Sequence, residues 1–117
     1  MKNEYRRRKY AANIIKGMDV HSVKGISRLL VDELTAIIGC PRDYFTIEVS
    51  VNPFIMDGQE TAITPLIQVN WFDRGQNVQD EAAAAIYRHV KRAGYSHVET
   101  FFIVLEEARY YENEKHY

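Results

Sequence analysis

The sequence predicts an α+β domain: two β-α-β units whose four strands form one sheet, with both helices on one face and short hairpins added. Three observations predict it. Pro65 to Gly94 reads as a strand, a tight polar loop and a helix. Ala11 to Val51 reads as strand, helix, strand. An offset of 55 residues then lays one unit on the other, with Gly39 on Gly94, Ile14 on Val69, Ile47 on Phe102 and Val49 on Val104. Each crossover is expected to be right-handed and to join parallel strands.

The chain of 117 residues is long enough for one domain with a core. Its first ten residues, MKNEYRRRKY, place Arg6, Arg7, Arg8 and Lys9 in a row and carry no apolar periodicity. They read as a flexible basic arm (1–10) ahead of a domain spanning 11–117. Ala11 to Lys16 is a short strand centred on Ile14 and Ile15, broken by Gly17. Asp19 is placed to cap a helix, because its carboxylate can accept from free backbone N–H groups. Val20, Val23, Ile26, Leu30, Leu34 and Ile37 follow at helical spacing, widened by Val31 and Ile38. Gly25 weakens that helix by about 1 kcal/mol relative to alanine. Gly39 closes it and Pro41 prevents its continuation.

Tyr44 to Val51 alternates strictly. Phe45, Ile47, Val49 and Val51 share one face; Tyr44, Thr46, Glu48 and Ser50 share the other. Asn52-Pro53 ends this strand. Phe54-Ile55-Met56 followed by Asp57-Gly58 predicts a small hairpin with a type I′ turn. In the second unit Ile67, Val69 and Trp71 share a strand face, and the strand stops at Asp73-Arg74-Gly75. Val78, Ala82, Ala85, Ile86, His89 and Ala93 then form one helical face, closed by Gly94. Acidic Asp80 and Glu81 near the helix start, and basic Arg88, Lys91 and Arg92 near its end, suit the helix dipole. Val98 to Leu105 is apolar on both faces, so both need cover. The helices cover one, and the other is read as a subunit interface. Glu106 to Tyr117 is read as a polar tail folding back around Glu112-Asn113-Glu114.

Composition excludes several classes. A net charge of −1 gives no reason to expect a polyanionic partner, so nucleic acid is not expected. The apolar runs fall far short of the roughly 20 residues of a membrane span, and no signal peptide is visible. One cysteine, Cys40, cannot form an internal disulfide, which points to a reducing cytoplasm. His21, His89, His97 and His116 show no ligand spacing, so neither a metal nor a cofactor is expected. His89 lies on the apolar helix stripe and reads as a satisfied core histidine. Cys40 follows a helix C-terminus, which raises a thiol pKa, so it is not read as a nucleophile. Gly17 and Gly25 are isolated and make no phosphate loop.

Gly39-Cys40-Pro41-Arg42-Asp43-Tyr44, the alternating strand, Asn52-Pro53 and Phe54-Ile55-Met56-Asp57-Gly58 together resemble the macrophage migration inhibitory factor and tautomerase superfamily. Trp71-Phe72-Asp73-Arg74-Gly75-Gln76, Gln79-Asp80 and the ending Tyr110-Tyr111…His116-Tyr117 resemble a family within it, DUF1904, over roughly Asn13 to Tyr117. The resemblance implies the tautomerase fold and a homotrimer. It also implies a small-molecule pocket at subunit boundaries, for an anionic or aromatic ligand. Its candidate lining is Asn13, Tyr44, Phe72, Arg74, Tyr110 and Tyr111, with Arg74 able to hold a carboxylate. Active superfamily members use an N-terminal proline whose desolvated amine shuttles protons. Here Ala11 stands near that position as an internal residue with an amide nitrogen, and the prolines are Pro41, Pro53 and Pro65. The lysine that follows the glycine in some members is Cys40. The α-amino group of Met1, about ten residues upstream, lacks positioning. Proline-dependent tautomerase activity is therefore not expected. The alternatives are an enzyme of the same fold using Tyr44, Glu48 or Tyr111, or an interaction module with a vestigial pocket. A ferredoxin-like domain is the alternative fold; it would place another strand between the members of each β-α-β pair.

Overall fold

The computed structural model describes residues 10–117; the expected arm, apart from Tyr10, lies outside the described residues. The first unit is β1 (Ala11–Lys16), α1 (Val20–Ile38) and β2 (Phe45–Ser50). A hairpin of β3 (Phe54–Met56) and β4 (Gln59–Thr61) follows. The second unit is β5 (Leu66–Trp71), α2 (Gln76–Arg92) and β6 (Glu99–Val104). β7 (Tyr111–Glu112) and β8 (Lys115–His116) form the tail hairpin. The four long strands lie in the order β2-β1-β5-β6. β1 runs parallel to β2 and β5 parallel to β6, while β1 and β5 meet antiparallel. Each β-α-β pair is thus adjacent and parallel, which is the tautomerase arrangement and excludes the ferredoxin-like one.

The helix ends follow local chemistry. Asp19 accepts from the Ser22 backbone N–H at 2.7 Å and from Ser22 Oγ at 3.0 Å. Those two bonds, the backbone one first, hold its carboxyl below the ordinary 3.8. Gly39 takes φ 77° and returns its N–H to the Thr35 carbonyl at 2.7 Å. α2 starts after Gly75 at φ 85°, whose N–H is held by Asp73 Oδ1 at 2.9 Å. Asp57 and Gly58 both have positive φ, as a type I′ turn requires.

The core lies between the helices and one sheet face. Ala11 and Ile15 from β1, and Ile67, Val69 and Trp71 from β5, meet Val23, Ile26, Leu30 and Leu34 of α1. Ala82, Ala85, Ile86 and Val90 of α2 complete it. Three details differ from the sequence pattern, one of them Val51, which lies beyond β2 and is exposed. Val20, at the first turn of α1, is exposed because it precedes the sheet contact. Ile14 and Val69 face opposite ways: Asn13 pairs with Val69, and Ile14 sits one residue on. A one-residue shift reverses every side chain in a strand, so the internal repeat is out of phase in its first strand.

The face without helices carries rows set by the strand register. Thr46, Ala12, Asn70 and Ile103 form one row; Glu48, Ile14, Gln68 and Phe101 form the next. Phe101 and Ile103 are 42% and 41% exposed on it. Among the described residues no helix is long and apolar enough to cross a membrane.

Candidate functional site

At the N-terminal end of β1 is a cavity of about 270 Å³, lined by Tyr10, Asp43, Tyr44, Thr46, Glu112 and Tyr117. Four segments build it. Tyr10 immediately precedes β1. Pro41 stops α1 from continuing and starts a single 3-10 turn, Arg42–Tyr44, closed by Tyr44 N–H to the Pro41 carbonyl at 3.2 Å. That turn presents Asp43 and Tyr44. Thr46 comes from the helix-free face of β2. The tail hairpin brings Glu112 and Tyr117, with Tyr117 N–H donating to the Tyr110 carbonyl at 2.9 Å.

Behind this lining the rings of Tyr10, Phe72, Tyr110 and Tyr117 pack on one another. Tyr110 lies 5.0 Å from Tyr10 and 4.8 Å from Tyr117, centroid to centroid. Phe72 lies 5.4 Å from Tyr110 and 5.5 Å from Tyr117. Such edge and tilted contacts suit the ring quadrupoles. Phe72 follows Trp71 and points to the opposite face, where the tail hairpin leaves it 1% exposed. Burial, reinforced by hydrogen bonding to Tyr10, pushes the Tyr110 hydroxyl well above its ordinary value of 10. Tyr110 therefore keeps its proton and cannot serve as a base near neutral pH.

Of the six residues expected from the sequence, only Tyr44 lines the cavity. Phe72 and Tyr110 support it from behind. Asn13 shares the helix-covered face with Ala11 and Ile15, is buried, and donates from Nδ2 to the Thr46 carbonyl at 3.1 Å. Tyr111 is 59% exposed and packs edge-on to His116. Arg74 donates to the Phe72 carbonyl at 2.6 Å and to the Tyr10 carbonyl at 3.1 Å, and its guanidinium sits 5.0 Å from the centroid of the Trp71 ring. It ties the end of β5 to the start of β1. Those contacts direct its charge at backbone carbonyls and an indole face, and it does not line the cavity.

The sequence reading missed Tyr10, Asp43, Thr46, Glu112 and Tyr117 as lining. A signal existed for two: Tyr10 and Tyr117 are among the chain's eight tyrosines, five of which fall in its first ten and last eight residues. Asp43 stands beside Tyr44 in the quoted motif. Nothing local marks Thr46 or Glu112.

A second cavity, of about 320 Å³, lies at the other end of β1 between the body and the β3–β4 hairpin. Asp19 in its wall is engaged as the α1 cap, and Asn52 Nδ2 donates to Ser50 Oγ at 3.3 Å. The rest is largely apolar, including Met18, Val51, Pro53 and Phe54. Among the described residues no three His, Cys, Asp or Glu side chains gather as a metal site would need.

A family model for a domain of unknown function, DUF1904, matches residues 13–116. A solved DUF1904 domain from Sebaldella termitidis ATCC 33386 is 33% identical, covers 92% of this chain and 99% of its own, and superposes with a TM-score of 0.83. Macrophage migration inhibitory factor of Toxoplasma gondii is 13% identical over 91% of this chain and 99% of its own, with a TM-score of 0.68. A fused 4-OT wild-type asymmetric trimer is 13% identical over 90% of this chain and 94% of its own, with a TM-score of 0.74. At these identities the last two show the fold alone. No curated protein matches the chain.

Proposed function

The chain belongs to the DUF1904 family and has the tautomerase fold, and from that premise we propose that it is a cytoplasmic homotrimer binding a small molecule in the Tyr10–Tyr44–Tyr117 cavity. The observation that carries this reading is the cavity itself. Four segments of the chain converge on it, and its wall combines aromatic faces with a few polar groups, as ligand sites do. Thr46 in its wall belongs to the helix-free face, where a second subunit would complete it.

The trimer has two supports. Phe101 and Ile103 stand half exposed on the helix-free face of an edge strand. Burying an apolar side chain of that size is worth about 1.5–3 kcal/mol. A structural relative of the same fold is a trimer. The single cysteine is the support for a reducing compartment.

Binding is favoured over proton transfer. Ala11, at the head of β1, follows Tyr10 and is 1% exposed, so its nitrogen is a buried amide rather than an amine. Of the other acid–base candidates Glu48 and Tyr111 do not line the cavity, and Tyr44 alone does. Sedimentation equilibrium tests the assembly, with a mass three times that of the chain expected; a monomer at micromolar concentration overturns it. A thermal-shift panel of small aromatic compounds tests the cavity, with stabilisation expected to vanish in Tyr44→Ala.

A further inference from the structure

We infer that the second cavity, between the body and the β3–β4 hairpin, is the seat for Phe101 and Ile103 of a second copy of this chain. The inference rests on the trimer reading and adds which surface of one subunit meets which surface of the next. The wall is mostly apolar, with Met18, Val51, Pro53, Phe54, Ala62 and Ile63. Asp19, also in the wall, is bonded to Ser22 through both carboxylate oxygens. The volume of about 320 Å³ is about twice the roughly 150 Å³ that holds a benzene ring, so a phenyl ring and an aliphatic side chain fit together.

The hairpin beside the cavity points to the same occupant. Residues 55–62 are all exposed, Ile55 and Met56 among them. A lone two-stranded hairpin is marginally stable in water and gains from a partner. The chain's own Phe101 and Ile103 do not reach the cavity. Its wall takes Ser50 from the end of β2, the strand at one edge of the order β2-β1-β5-β6, whereas Phe101 and Ile103 stand on β6 at the other edge. Three strand spacings, about 14 Å, separate β2 from β6. One chain thus carries two different apolar surfaces at opposite edges of its sheet. Joined head to tail between copies, such surfaces close a ring, as a trimer needs; a twofold axis would pair one surface with itself. Seat and hairpin together span residues 50–63 and 17–19, which approaches the roughly 20–30 residues a side of a standard interface.

The test uses the full chain and reads mass by sedimentation equilibrium and fold by circular dichroism. Val51→Glu charges the seat and Phe101→Glu charges the inserted side chain, both at exposed positions. Each variant alone is expected to fall from three times the chain mass to one, with its spectrum unchanged. An equimolar mixture of the two holds one intact seat and one intact Phe101, on different chains, and is expected to double its mass as a heterodimer. Should Val51→Glu lose the folded spectrum, Ala62→Glu, also exposed, takes its place. A Val51→Glu protein that stays trimeric, or a mixture that stays monomeric, overturns the inference and leaves the trimer reading intact. A wild-type dimer that Phe101→Glu dissociates and Val51→Glu does not would mean that β6 pairs with β6 across a twofold axis, and overturns both. A wild-type monomer also overturns both.

Discussion

His89 on α2 donates from Nε2 to Glu33 Oε1 on α1 across 2.8 Å, and this bond joins the two helices over the sheet. Arg92 Nη2 can only donate, so His89 Nδ1 accepts from it at 2.9 Å, and the ring proton is thereby placed on Nε2. Arg88 also pairs with Glu33. A histidine on an apolar helix stripe is thus satisfied by partners on its own helix and on its neighbour.

These bonds, that of His89 first and then Arg88, hold the Glu33 carboxyl below its ordinary value of 4.5. A carboxyl depressed in the folded state stabilises fully above its unfolded pKa, and the contribution is lost as pH falls through the lower folded value. Stability of the wild type is therefore expected to drop more steeply below pH 4.5 than that of Glu33→Gln. Urea denaturation across that range checks it; parallel slopes would show that the bond carries no linked proton.

Phe72→Ala should destabilise the domain by about 3–5 kcal/mol, the usual cost of emptying a buried phenylalanine site. Its ring is held between the end of β5 and the tail hairpin. Chemical denaturation measures the loss. A change of less than about 1 kcal/mol would mean that the hairpin recloses over the gap.

Gly17→Ala should also destabilise. Gly17 has φ +82°, and an added Cβ would meet the Thr64 carbonyl oxygen at 2.6 Å. Both the left-handed backbone and the contact with another loop's main chain disfavour it. Gly25→Ala, where a Cβ meets nothing within 4 Å, should be neutral or stabilising by comparison. Melting temperatures of the pair give the answer.

Phe101→Glu or Ile103→Glu should convert the proposed trimer to monomer with the fold retained, because each residue is already about two-fifths exposed in the single chain. Light scattering with circular dichroism reads mass and fold together. An unchanged mass in both variants would place the interface elsewhere.

Tautomerisation of an aryl pyruvate should be very weak or absent. Proton shuttling at neutral pH needs a group with pKa near 7, and the head of β1 offers a buried amide while Tyr110 is pushed the wrong way. Robust turnover abolished by Tyr44→Phe would make Tyr44 the acid–base group and the cavity an active site.

Much of the fold was legible in the chain because its signals are local. Strict alternation in Phe45–Ser50, the helical stripe through Ala82, Ala85, Ile86 and His89, and the Asp19 and Gly39 caps each depend on neighbours within a turn or a strand. The Asp57-Gly58 and Asn113 turns, both with positive φ, were marked in the same way. The site was legible only in part, because it is assembled from segments that are distant in sequence. Arg74 beside a strand end reads as an anion holder until the fold brings the Tyr10 carbonyl within 3.1 Å of it. Asn13 reads as a pocket polar group until its register places it under the helices. Glu112 and Thr46 carry no local mark, and only the tail hairpin folding over the end of β1 sets them in one wall. Periodicity fixes which face a residue takes relative to its neighbours in the same element. Which elements then meet, and so which charges share a cavity, depends on long-range packing that no local pattern encodes.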